Sequence, residues 1–209
     1  MIFPVIPTWL DIIEQLKGRG IDFAPGLTDA EVASVERRFG FRFPQDLCAL
    51  LQAGLPRGEH FPDWRSGREE QLREWLDTPR VGIFFDIENN DFWLPEWGPR
   101  PKAIKEALQV ADRLLAAAPK LIPICQHRMI PDDPHLEGNP VFSVHQTDII
   151  YYGHDLEDYL RHEFDLSGRR PWPENMRPVR FWGIQRFQEV RWANGPCIFD
   201  NRRGILPER

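Results

Sequence analysis

Apolar residues recur at helical spacing early in the chain, where Trp9, Ile12, Ile13 and Leu16 follow Thr8. Thr8 is a capping residue type, and Gly18 and Gly20 close the segment, so a short amphipathic helix is predicted. The clearest start signal is LTDAEV, in which Thr28 and Glu31 make a capping box and Leu27 and Val32 occupy the two staple positions. That helix turns Val32, Val35 and Phe39 inward and stops at Gly40. Pro44 then opens another helix, with Leu47, Leu50 and Leu51 as its apolar stripe and Gly54 at its end. The pair lacks the basic residues that major-groove reading needs at the start of the second helix, so it is expected to pack rather than to read DNA.

Farther along, Leu72, Trp75 and Leu76 predict a helix, and VGIFFDI (81–87) reads as a strand, bounded by Pro79 and by Asn89 and Asn90. FWLPEWGPRP has rings and prolines without a period, which predicts an ordered loop held by aromatic contacts. A helix from about Lys102 to Ala118 shows Ile104, Leu108, Ala111 and Leu115 on one side and is stopped by Pro119. The pattern then changes to strands: LIPIC, the polar loop HRMIPDDPHLEGN, VFSVH and DIIYYG, which pair most simply as an antiparallel meander. Asp155 caps a last helix that presents Leu156, Tyr159, Leu160 and Phe164. Beyond Asp165, RFWGIQRFQEVRW has the pattern of a docked amphipathic helix, and a frayed end is expected past Asn201.

Composition narrows the class. The 209 residues are 42% hydrophobic and 28% charged, with 8 Trp and 14 Phe, enough apolar area for one substantial core. The 20 prolines require short elements and rigid turns, which disfavours long bundles. A formal charge of −6 argues against a phosphate-backbone binder, so no nucleic-acid partner is expected. The same charge suits solubility or a basic protein partner. Cys48, Cys125 and Cys197 form no CxxC pair and are odd in number, which points to a reducing compartment. MIFPVIPTWLDIIEQL carries no basic leader or cleavage pattern, and no run nears eighteen apolar residues. A cytoplasmic protein without a membrane partner is expected.

Three stretches in this order resemble the SUKH superfamily, which includes bacterial toxin-immunity proteins and a yeast cell-wall assembly regulator. They are LTDAEVASVERRFGFRFPQDLCALLQAG, GIFFDIENNDFWLPEWGPRP with the central LIPI, and NPVFSVHQTDIIYYGHDLEDYLRHEF. The resemblance covers about Leu27 to Phe164. It implies an α+β fold, a mainly antiparallel sheet flanked by helices, in a single domain over 27–164. Residues 1–26 would be an N-terminal helical extension and 165–209 a C-terminal extension, partly docked. It also implies a protein-binding platform and no enzyme: an immunity protein that neutralises a polymorphic toxin domain, or a regulatory scaffold without a toxin partner.

The sequence also carries residues with catalytic or metal-binding chemistry. His127, Asp132, Asp133 and His135 have the ligand types for a divalent metal, and a metal-dependent hydrolase would be built on His127, Asp132 and His135, yet their spacing matches no helical histidine pair and the prolines and aspartates are ordinary turn residues. Asp86, Glu88 and Asp91 lie close together at the end of the expected strand, where alternation puts Asp86 and Glu88 on one face. They read as acid–base carboxylates, as a solvated strand end, or as an acidic patch for a basic protein. Trp93 and Trp97 suit either an interface or the domain's own core. Asp86, Glu88, Asp91, Trp93, Trp97, His127, Asp132 and Asp133 are therefore the expected protein-binding set. No nucleophile–base pair, glycine-rich nucleotide motif or cofactor signature was found.

Overall fold

The computed structural model describes residues 8–183. Thr8 and Thr28 each accept from the backbone N–H three residues on, and Asp11 and Glu31 reach back to complete two capping boxes. The helices they open, α1 (Trp9–Gly18) and α2 (Asp29–Phe39), bury the apolar stripes read from their sequences. Gly40 ends α2 in the left-handed region at φ 67°, a conformation that costs glycine little. Helix α3 (Gln45–Ala53) follows. A two-stranded pair, β1 (Asp22–Ala24) with β2 (Leu55–Arg57), clips the ends of this helical layer together.

Helix α4 (Glu69–Asn89) and helix α5 (Ile104–Ala116) flank the aromatic segment, whose Pro95–Trp97 forms a single 3-10 turn. Four antiparallel strands follow: β3 (Leu121–Cys125), β4 (Arg128–Pro131), β5 (Val141–His145) and β6 (Asp148–Gly153), in the order β3-β4-β5-β6. Helix α6 (Leu156–Glu163), capped by Asp155, ends the core. The fold is α+β, as expected.

The sheet is covered on both faces. Ile122, Ile124, Ile130 and Val141 point to a core shared with α1, α2, α3 and α6. Leu121, Met129, Phe142, Val144 and Ile149 point to a second core with Ile83 and Ile87 of α4 and Ala107 and Ala111 of α5. Covering both faces removes the regular polar alternation from the strands, which explains why LIPIC reads as an unbroken apolar run and VFSV is interrupted only by the buried Ser143. Helix α1 shares the first core rather than standing apart, and Val179, Phe181 and Trp182 join the second.

Four expectations need correction. VGIFFDI is the last part of α4, not a strand. Leu72, Pro79, Ile83 and Ile87 are its buried stripe, so burial at helical period outweighed the local β-propensity of the seven residues. Pro79, expected as a boundary, is buried inside the helix. The loop HRMIPDDPHLEGN contributes a full strand, β4, whose four residues are all buried. In α5 the buried positions are Ala107 and Ala111, while Ile104 is exposed. The expected helix in RFWGIQRFQEVRW falls outside the described residues beyond Gly183, as do Cys197 and the end past Asn201. Among the described residues no helix is long and apolar enough to cross a membrane.

Candidate functional face on helix α4

Helix α4 divides its side chains by depth. Ile83 and Ile87 enter the second core, and Gly82 lies against the β5–β6 turn so closely that an added Cβ would stand 2.6 Å from Cα of Gln146. Asp86 is fully buried beside it and accepts from the Thr147 N–H at 3.0 Å, the Thr147 hydroxyl at 2.6 Å and Asn90 Nδ2 at 2.6 Å. Nearby, Trp75 Nε1 donates to Gln126 O in the β3–β4 turn at 2.6 Å. Both turns are two residues long and start on a glutamine at positive φ, Gln126 at 49° and Gln146 at 54°. They dock side by side along α4.

The outer stripe of the helix is Glu74, Thr78, Val81, Phe85 and Glu88, all exposed. Val81 is 56% and Phe85 46% exposed, an unusual pair of bare apolar side chains four positions apart. With Val144, His127, His145 and Gln146 they line a cleft of about 570 Å³, and Glu74 and Asp77 stand on its rim. Burial, Arg128 and then His145 push the His127 imidazole down to about 4, so it is neutral at physiological pH. A second groove of about 630 Å³ separates α4 from α5, but Arg80 crosses it to Asp112 at 2.7 Å and Asp77 at 3.4 Å.

Behind His127 lies a buried ion pair. The side chains of Arg128 and Glu163 are 7% and 3% exposed and 3.4 Å apart. The guanidinium also donates to Ser143 Oγ at 2.7 Å, lies 3.6 Å over the Tyr152 ring and touches His127 Nε2. Burial, with Glu163 close by, pushes the neighbouring Cys125 thiol up to about 12, so it is no nucleophile. The buried Tyr159 hydroxyl, beside Cys125, has no well-formed hydrogen bond.

The expected binding residues do not gather in one place. Because the segment is helical, Asp86 and Glu88 point apart: Asp86 is an internal anchor and Glu88 is exposed. Asp91 is exposed and paired with Arg100 at 2.8 Å. Trp93 donates to Gly98 O at 2.8 Å, and Trp97 packs on Phe92, Trp93 and Phe181 at 5.8, 5.2 and 6.2 Å, so both rings mainly fasten the loop to the second core. His127 lines the cleft. Asp132 accepts from the Lys120 N–H at 2.8 Å, and burial raises its pKa. Asp133 is exposed, 3.9 Å from Arg180. Among the described residues no group of three His, Cys, Asp or Glu side chains is placed to hold a metal ion.

Val81, Phe85, Glu74 and His145 were not singled out from sequence. Their signal was present in the helical register that continues from Leu72, but the β-rich string masked it. Glu163 also had a signal, since it falls on the inward stripe of α6 with Leu156, Tyr159 and Leu160. Comparisons with protein-family models, curated proteins and solved structures found no match to this chain.

Proposed function

We propose that this chain is a protein-binding module that acts by occlusion, as an immunity protein that neutralises a toxin domain. The observation that carries the reading is the bare Val81–Phe85 pair in the α4 cleft. Apolar side chains at helical spacing are a common anchor for partner proteins, and this pair lies together in a cleft rather than scattered singly over the surface. The floor is rigid because Gly82, Asp86 and Trp75 lock α4 to both hairpin turns. A preformed floor lowers the ordering entropy lost on binding. The resemblance of the Leu27–Phe164 stretch to SUKH proteins points to the same kind of activity.

The test is growth protection. The chain is co-expressed with toxin domains encoded beside its gene, and protection together with co-purification is the expected result. Val81→Asp with Phe85→Asp is expected to abolish both while leaving the thermal midpoint almost unchanged, because neither side chain is in the core. Binding without protection assigns the chain to regulation or scaffolding, and absence of both removes the proposal.

A further inference from the structure

Resting on the α4 reading, we infer that the cleft takes a cationic amphipathic helix whose paired apolar side chains are bracketed by basic residues. The outer stripe of α4 runs acid, hydroxyl, apolar, apolar, acid, with Thr78 between Glu74 and Val81. Glu74 lies before Val81 and Phe85, and Glu88 lies after them, all on one line of the helix surface. Glu74 and Glu88 stand about 21 Å apart along the axis at 1.5 Å per residue. Asp77 also lines the N-terminal side of the cleft, with its carboxylate 3.4 Å from Arg80. The cations nearby are already paired. Arg80 is drawn to Asp112 and lies 4.3 Å over Phe84, on the α5 side, and Arg73 pairs with Glu69 at 2.6 Å. His127, which lines the cleft with His145, is neutral, and the exposed carboxylates of Glu74, at the cleft, and Glu88, just beyond its lining, stand before and after the apolar pair.

Charge complementarity selects among occupants. Two copies of this face would set carboxylate against carboxylate whether the helices ran parallel or antiparallel, so a symmetric dimer here is opposed by its own ends. A nucleic-acid backbone is repelled outright. A helix with two apolar residues four apart and Lys or Arg about 21 Å apart complements both the apolar pair and the two flanking carboxylates of the stripe. That separation exceeds the Debye length of about 8 Å at physiological salt, so the two ends contribute independently.

The experiment titrates the full chain with two synthetic helical peptides. Both carry one leucine pair four positions apart, flanked fourteen positions apart either by lysines or by glutamates. Backbone amide shifts locate binding and affinities are measured at low and high salt. The lysine peptide is expected to bind at least about tenfold more tightly at low salt, equivalent to about 1.4 kcal/mol. Shifts should centre on Val81, Phe85 and Gln146, and the preference should shrink in about 0.5 M salt. Glu74→Lys with Glu88→Lys should reverse the order of the two peptides. Equal affinities, shifts centred elsewhere, or self-association through α4 would overturn the inference. If Val81→Asp with Phe85→Asp abolishes binding of both peptides but charge reversal leaves their order unchanged, the cleft stands and the bracket falls. If neither peptide binds at millimolar concentration, both readings fall.

Discussion

Glu163 shows how one side chain can hold a charge inside the molecule. Arg128 is almost fully buried, and its guanidinium is compensated by Glu163 at 3.4 Å, Ser143 Oγ and the face of Tyr152. Removing one member of such a pair leaves the other unpaired in a poorly polarisable interior, which costs about 3 to 5 kcal/mol. Glu163→Gln is therefore expected to lower the unfolding free energy in urea by about 3 kcal/mol. Glu163→Leu with Arg128→Met should recover most of that loss, because both desolvation costs vanish together. His127 supplies a pH dependence. Its folded-state pKa of about 4 lies below the ordinary 6.5, so between these values the unfolded chain binds more protons. Its contribution is complete above about pH 6.5 and is lost as the pH falls toward about 4. Asp46 and Asp132 are raised by burial and act in the opposite sense at lower pH, so the isolating comparison is His127→Asn. That variant should show a flatter urea-derived stability profile from pH 6.5 to 4. An unchanged slope would remove the assignment.

At the scale of elements, the two capping boxes and Gly40 were readable because each is a local hydrogen-bond device that needs only residues three to four apart. The run 81–87 was not, because β-branched and aromatic residues there match a strand locally, while the helix is set by burial of Leu72, Pro79, Ile83 and Ile87 on a layer that sequence does not display. Strand β4 was hidden for a related reason. It begins with a charged residue whose partners, Glu163 and Ser143, lie far along the chain. The junction of α4 with the β5–β6 turn depends on Gly82, since a Cβ would meet Gln146 Cα at 2.6 Å. Gly82→Ala should force the helix and turn apart and lower stability by about 1 to 3 kcal/mol, read from the urea midpoint. Gly18→Ala is the control, because nothing lies within 4 Å of its Cβ position and no loss is expected there.

On the scale of the molecule, a sheet buried on both faces divides the interior into two cores, and α4 serves the second while keeping one stripe in water. This division explains why substitutions at Val81 and Phe85 should spare the fold, since neither side chain belongs to either core. It also explains the scatter of the expected binding residues: closeness in sequence from Asp86 to Trp97 gave way to a helix end, a paired loop and an aromatic plug. By itself the sequence determined the α+β class, the helices capped by Thr8, Thr28 and Asp155, and the strands β3, β5 and β6, because these follow from short-range periodicity and turn chemistry. Only the tertiary structure decided that VGIFFDI is helical, that Asp86 is an internal anchor, and that Val81 and Phe85 are bare. Those outcomes depend on which surface each residue meets across the fold, and that information lies in contacts between segments distant along the chain.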